Sequence, residues 1–462
     1  MRNRALLLPL WVLICPFMLR AQEKATSLPD APQIQNQMQK ENPGSGLDTP
    51  AGAVGEDLTR QQAETLALKN NPRISVAALL ALAQKQVVRE TRSGLLPALN
   101  GSLTGVDAAE GSRISAGSLT ASRLLYHAGA GLDLSQLITD FGHTNNLVAS
   151  SKLQAKAAEQ NAQATREDIV LAADLAFYNT LEAQATLEVA ESTVKARQAV
   201  GDQVDALTAN NLKSTLDQSF AQVNLSQAKM LDLNSQNQFD AAMANLNEVL
   251  GTTGDRSYHL LDDSSLPPSP APSAGVVIAL ALQQRPDLLA LKLNHEADVR
   301  FSRAQRELLL PSISGLGVAG VSPVGSSTYF TQKWYGAAGV NVSVPIFNGF
   351  KFHAEATEAG LHAQASDEQS RVLMDRIARD VRTAWLTANS AQQMMSVTAE
   401  LVKEANTALD LADTRYRLGL SSIVELSQAQ LQQTQAQIAD ANARFEYEAD
   451  LAALRFQSGS QP

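Results

Sequence analysis

The sequence predicts a mainly α-helical fold with a small β-barrel portion, built from a unit of helices and strands that occurs twice. Three observations predict it: landmark motifs recur at a fixed interval, long segments have a seven-residue apolar period, and short segments between them have a two-residue period. The composition agrees, because 44% of the 462 residues are hydrophobic but only 5% are aromatic. Such a chain buries mainly small and aliphatic side chains, which suits closely packed helices.

The charge balance excludes one class of partner. Lysine and arginine number 37 against 47 acidic residues, which gives a net charge of −10 and an isoelectric point near 5.2. A nucleic-acid-binding protein needs a concentrated basic face. We therefore expect no nucleic acid partner.

The N-terminus has the features of a secretory signal peptide. Arg2 and Arg4 precede an apolar run over residues 5–19, and the small residue Ala21 follows it. Residues 1–21 are therefore predicted to be a cleaved signal peptide. The only cysteine, Cys15, leaves with it, and the bulky Ile14 before it disfavours a lipidation site. No later segment reaches the ~18 to 20 apolar residues of a membrane-spanning helix.

An internal duplication organises the rest of the chain. Two proline pairs, Pro72 with Pro286 and Pro97 with Pro311, are each 214 residues apart. Two later pairs, Asp217 with Glu425 and Gly251 with Gly459, are each 208 residues apart. The difference falls between Pro97 and Asp140, which places a surface loop of variable length there.

The offsets divide the chain into consecutive segments. A first repeat over 58–254 and a second over 276–457 are separated by a proline-rich linker over 255–275. Residues 22–57 form an N-terminal extension, predicted to be extended or disordered unless it packs on the surface, and residues 458–462 form a C-terminal tail.

Each repeat is predicted to contain a long helical hairpin. In the second repeat, apolar or small residues follow alternating steps of four and three, at Ile377, Val381, Ala384, Ala388, Ala391, Met395, Thr398, Val402, Ala405, Leu409, Ala412 and Tyr416. The first repeat has the same seam from Ile169, interrupted at Arg197 and Gly201. A helix over 145–209 would be about 100 Å long. The return helices show a seven-residue period at Val424, Leu431, Ile438 and Phe445, and at Leu216, Val223 and Met230.

The segments between the helices change to a period of two. Leu99 and Leu103, Leu132 and Leu134, and Val340 and Val342 alternate with small or polar residues over about nine to eleven positions, the length of a tilted membrane-spanning strand. Aromatic residues at the hairpin ends are expected to form a membrane-interface belt, namely Tyr126, Tyr329, Phe330, Trp334 and Tyr335. Ile313 is out of phase with Leu316 and Val318, which predicts a bulge.

Four strands cannot close a barrel alone. Open strand edges are not tolerated in hydrocarbon, so several chains must pool their strands. A trimer would provide twelve. The alternative for these strands is an ordinary soluble sheet.

Signals for chemistry are weak throughout. The glycine pattern at 315–320 resembles a dinucleotide-binding motif, but no helix follows it, so we interpret it as small residues on a strand. Glu358 and His362 share a helix face without further metal ligands nearby. The sequence predicts neither an enzyme nor a bound metal or cofactor.

Taken together, residues 58–457 resemble the TolC-like outer membrane efflux proteins. The resemblance rests on the Asn-Pro break at Pro72, the Leu-Leu-Pro motifs ending at Pro97 and Pro311, the strand-to-helix turns at 134–138 and 344–349, and the turn at 415–425. It implies a homotrimer whose twelve strands form a barrel in outer membrane lipid, continued by an α-helical periplasmic tunnel. It further implies a passive exit duct for small molecules or proteins, with a periplasmic adaptor and an inner-membrane pump as partners.

The resemblance also implies a periplasmic entrance at the hairpin tips. Glu425 and Gln428 match acidic ring positions, Tyr416 and Asp217 match gate contacts, and Ser421 falls where some members have a gate arginine. The alternative function is a periplasmic coiled-coil adaptor or structural protein. Adaptors normally carry a lipoyl-like segment within one hairpin, and the helices here run unbroken between their ends, which disfavours it.

Overall fold

The structure is a computed structural model of the chain. It describes residues 56–107, 114–116, 119–122, 126–252, 256–262, 270, 273–321 and 334–459. The predicted signal peptide lies outside the described residues, as do most of the N-terminal extension and the belt residues Tyr329 and Phe330.

The two halves of the chain contain matching helices. The first half has α1 (Arg60–Asn70), α2 (Pro72–Ser93), α3 (His143–Ala209) and α4 (Thr215–Val249), and the second has α5 (Ala274–Gln284), α6 (Pro286–Glu307), α7 (Lys351–Arg417) and α8 (Ile423–Ser458). Their lengths are 11, 22, 67 and 35 residues against 11, 22, 67 and 36. The mainly α fold with paired long hairpins is therefore confirmed, while the domain boundaries stay a prediction.

The proline landmarks mark real helix breaks. Asn71 ends α1 with extended dihedrals, and its side-chain oxygen accepts a hydrogen bond from the Arg73 N–H at 3.0 Å. Pro72 is the first residue of α2, where its missing N–H and fixed φ are tolerated. Pro286 begins α6 in the same way after Arg285. A proline therefore bends the chain between two helices in each half.

The seven-residue seam of α7 is confirmed. All twelve predicted positions are buried or half-buried, and none is exposed. In α3 the two interrupting residues, Arg197 and Gly201, also lie in the buried seam, so the period continues through them. Helix α3 packs against α2, α4, α6 and α8, which explains why it has more buried residues than a helix in a simple hairpin.

The predicted seam of the return helices is not buried within a single chain near the tips. Val424 and Leu431 of α8 are exposed, and Leu216, Val223 and Met230 of α4 are more than half exposed. The buried face of α8 in this region is formed by Ile423, Leu426 and Ala429 instead. Two apolar stripes run along these helices, and the partner helix covers only one of them.

A two-stranded parallel sheet ties the N-terminal segment to the linker. Strand β1 (Glu56–Leu58) pairs with β6 (Tyr258–Leu260), and Leu58, Tyr258 and Leu260 are buried in a core with Phe177 of α3. Strands of three residues carry too little periodicity to be predicted from the sequence, so this sheet was not expected.

A group of charged side chains anchors α1 to α3 beside this sheet. Arg60 forms ion pairs with Glu64 and with Asp174, the latter at 3.5 Å between Nη1 and Oδ1. Asp174 is 3% exposed. Burial, followed by the neighbouring Glu64, raises the pKa of Asp174 to about 7 although Arg60 acts in the opposite direction.

This pKa predicts a pH-dependent stability. Because the folded state binds the Asp174 proton more tightly than the unfolded chain, the free energy of unfolding should fall as pH rises from about 4 to about 7, by at most about 4 kcal/mol. Chemical denaturation across this range measures it. Asp174→Asn should flatten the curve, and Asp202→Asn, an exposed change on the same helix, should not. An equal slope in wild type and Asp174→Asn would contradict the assignment.

Four long strands form the predicted sheet. Strands β2 (Ala98–Asp107), β5 (Tyr126–Thr139), β7 (Ser312–Val321) and β8 (Trp334–Ser343) are antiparallel in the order β2-β5-β7-β8. A short hairpin of β3 (Ile114–Ala116) and β4 (Leu119–Ser122) occupies the loop of variable length.

The two faces of the four-stranded sheet differ in polarity. From the register, one face carries Leu99, Leu103, Leu132, Leu134, Ala319, Val321, Trp334, Val340 and Val342. The other carries Asn100, Ser102, Asp133, Ser135, Ser314 and Asn341, and Asn100 donates to the Asp133 carboxylate at 2.9 Å. This is the pattern of a barrel strand with lipid outside and water inside.

The bulge predicted near Ile313 lies on the neighbouring strand. The irregularity near Ile313 exists, but the extra residue is Ile138 on β5, while Ile313 pairs regularly with Val342. Ile313 therefore lies on the apolar face, and Leu316 and Val318 are the residues on the polar one.

The register separates two residues of the predicted belt at β8. Trp334 lies on the apolar face and is 65% exposed, whereas Tyr335 pairs with Gly320 on the polar face. The two rings therefore lie on opposite faces of the sheet, and a membrane-interface belt stays a prediction. Tyr126 is the first residue of β5, at the same end of the sheet.

Among the described residues, no single helix is long and apolar enough to span a membrane; α5 and α6, bent by 47°, meet the criterion only as a pair and only by length and composition.

Candidate functional site

The two hairpin tips have the same backbone design. At the first tip, the N–H groups of Asn211 and Leu212 bond to the carbonyls of Thr208 and Leu207, with Asn211 in the left-handed region at φ 60°. At the second tip, Gly419 at φ 73° and Leu420 make the equivalent bonds to Tyr416 and Arg415. Both are Schellman motifs, which end a long helix and reverse the chain.

The return helices begin with equivalent serine caps but use their acidic residues differently. Ser214 and Asp217 form a capping box, in which Ser214 Oγ accepts from the Asp217 N–H and the Asp217 carboxylate accepts from the Ser214 N–H, both at 3.2 Å. At the second tip Ser422 accepts from the Glu425 N–H, but the Glu425 carboxylate instead forms an ion pair with Arg415 at 3.2 Å. The Asp217 carboxylate therefore caps its own helix, α4, whereas the Glu425 carboxylate links α8 to the end of α7.

Tyr416 lies in the contact between the tips. It is 3% exposed and packs in an apolar cluster with Val204 and Ala221 of the first hairpin and Ile423 and Leu426 of the second. Burial, followed by the charge of Asp217, raises the pKa of the Tyr416 hydroxyl. The structure thus places the charge of Asp217 close enough to act on the Tyr416 hydroxyl.

The remaining predicted residues are placed differently. Gln428 is exposed on α8, and Ser421 is half-buried with a hydroxyl that has no hydrogen-bond partner among the described residues. Two cations that the sequence analysis missed lie at this site: Arg415, paired with Glu425, and Lys213, whose ammonium lies over the Tyr416 ring. The repeat offset of 208 could have pointed to Lys213, because it is the position equivalent to Ser421.

Across the described ranges, no cluster of three or more His, Cys, Asp or Glu side chains could hold a metal ion. Charge, aromatic contacts and helix caps are the chemistry that this site contains.

Two long helical hairpins with charged tips and a strand sheet with one apolar and one polar face define a membrane channel with a helical extension. The chain belongs to the outer membrane efflux protein family, which it matches over residues 65–252 and 277–460. It is therefore an outer membrane efflux protein, and its family is one of channel proteins.

Individual relatives are distant but cover most of the chain. The outer membrane efflux protein BepC of Brucella suis is 23% identical over 394 residues, 85% of this chain and 82% of that protein. TolC of Escherichia coli is 24% identical over 399 residues, 82% of this chain and 77% of TolC. The Campylobacter jejuni CmeC outer membrane channel shares the fold with a TM-score of 0.74 at 18% identity, covering 87% of this chain and 85% of CmeC. None of the three supports the adaptor alternative.

Proposed function

We propose that three copies of this chain form the passive exit duct of a tripartite efflux or type I secretion system, with a twelve-stranded barrel and a periplasmic helical tunnel. The observation that carries the proposal is the sheet: in the described part of the chain, the outer edges of β2 and β8 have no strand partner. Strands supplied by further copies at both edges would leave no open strand edge in the membrane.

The exposed apolar stripes near the tips support the same assembly. Leu216, Val223 and Met230 on α4 and Val424 and Leu431 on α8 are exposed in a single chain. Burying such stripes against neighbouring copies would yield the closely packed helical wall of a tunnel. As the family resemblance implies, a periplasmic adaptor and an inner-membrane pump would complete the system. The duct itself is expected to perform no chemistry.

The native mass of the protein, extracted from isolated outer membranes in mild detergent, tests this assembly. We expect about three times the chain mass. A monomer or dimer in the soluble periplasmic fraction would leave four unclosed strands per chain and would revive the adaptor alternative.

We further propose that Asp217, Tyr416, Ser421, Glu425 and Gln428 lie at the periplasmic entrance, and that charge there sets ion preference. Three copies of Glu425 in a narrow throat would create a negative potential that favours cations. The ion pair with Arg415 offsets part of that charge in each chain.

Two substitutions should shift selectivity in opposite directions. Glu425→Gln is expected to lower the cation-to-anion permeability ratio by a factor of about 2 to 5, because it removes the carboxylate. Arg415→Met is expected to raise the same ratio, because it leaves the carboxylate unpaired. Single-channel reversal potentials in a salt gradient measure both. If both variants match wild type, Glu425 does not line the throat.

A further inference from the structure

The two hairpin tips of one chain touch through a small apolar cluster. Val204 and Ala221 come from the first hairpin, and Tyr416, Ile423 and Leu426 come from the second. An apolar contact does not by itself fix the relative position of the two tips, because the hydrophobic effect is not directional. A polar or charged contact across it would fix how the tips are placed.

Lys213 makes such a contact. It lies in the turn between α3 and α4, and its ammonium nitrogen is 4.2 Å from the centroid of the Tyr416 ring, on the other hairpin. The ring is 3% exposed, so one cation lies over an aromatic face that is otherwise packed in the apolar cluster. The ring quadrupole attracts a cation placed over an aromatic face, and the attraction is larger when the face is desolvated.

The internal repeat shows that this cation is specific to one tip. Lys213 and Ser421 are equivalent: each lies two residues after the left-handed residue of its turn, Asn211 or Gly419, and directly before the capping serine. In the second tip this position has no charge, and the Ser421 hydroxyl is buried without a partner among the described residues. The tip pair therefore has a single turn cation, and it belongs to the first hairpin.

We propose that Lys213 is the positioning residue that joins the two hairpin tips of each chain and holds Tyr416 at the closed entrance. The inference rests on the proposed function, because it names the contact that keeps the same entrance shut. Separation of the tips must break the contact between Lys213 and Tyr416, whereas Glu425 and Arg415 move together within the second hairpin.

Amide hydrogen exchange of the purified full chain in mild detergent tests the contact without requiring channel activity. Lys213→Met keeps the length and apolar stem of the side chain but removes the charge. Amides over residues 412–420 are expected to exchange about 3 to 30 times faster than in wild type. Lys213→Arg keeps a cation over the ring and should restore slow exchange, and Lys229→Met, an exposed lysine on α4, should leave these amides unchanged.

Unchanged exchange in Lys213→Met, or equal acceleration in Lys213→Arg, would overturn the proposal. Single-channel recordings then connect the contact to the entrance: Lys213→Met should raise the open probability at least threefold, and Lys213→Arg should not. If wild type forms no channel while exchange responds as expected, the contact stands and the proposed function fails. If wild type conducts and Lys213→Met conducts and exchanges identically, only the contact fails.

Discussion

Leu103→Arg is expected to prevent this protein from reaching the outer membrane as an assembled channel. Leu103 is near the middle of β2, on the apolar face of the sheet, and is 89% exposed in the single chain. An arginine facing lipid near the middle of the bilayer costs about 2–4 kcal/mol per strand. In a trimer this amounts to roughly 6–12 kcal/mol, which lowers the assembly constant by several orders of magnitude.

Ser102→Arg is the matched control, because Ser102 is the adjacent residue on the opposite, polar face. It places the same side chain one position away but towards the predicted water-filled interior. Outer membrane fractionation followed by native mass in detergent should show a trimer for Ser102→Arg and little or none for Leu103→Arg. Equal assembly of the two variants would mean that the apolar face is not in contact with lipid.

Arg197→Met is expected to stabilise the helical portion, contrary to the usual effect of a core substitution. Arg197 is 7% exposed in the α3 seam, and its Nη1 atom is buried with no hydrogen-bond partner among the described residues. Burial alone lowers its pKa to about 10, with no acidic neighbour contributing. A methionine fills similar space without a charge to desolvate.

The size of the effect follows from this pKa. The lowering of the Arg197 pKa from its ordinary value to about 10 corresponds to about 3 kcal/mol per chain. Thermal unfolding of the purified protein in mild detergent should therefore show a higher Tm for Arg197→Met. Arg166→Met, an exposed arginine on the same helix, should leave Tm within a degree or two. A lower Tm for Arg197→Met would show that the assembled protein supplies a counter-charge.

The sequence by itself determined the features that repeat along the chain. The duplication, the proline breaks, the 67-residue helices and the alternating strands depend on local periodicity and on residues that fix φ or remove an N–H. These are properties of short stretches of chain, so they are readable without knowing what packs against them. The presence of one apolar and one polar face on the four-stranded sheet could be predicted for the same reason.

Three features were decided only by the tertiary structure. It determines which of the two apolar stripes on the return helices is covered and which side chains meet at the tips. It also places Tyr335 and Trp334 on opposite faces of the sheet. Seven-residue spacing at Val424 and Leu431 gives a stripe but not its neighbour, because periodicity defines a face and not its partner. Lys213 and Tyr416 are 203 residues apart in the chain, and their contact arises only when the two hairpins pack side by side. The chemistry of the hairpin tips therefore depends on packing between the repeats, which no single segment encodes.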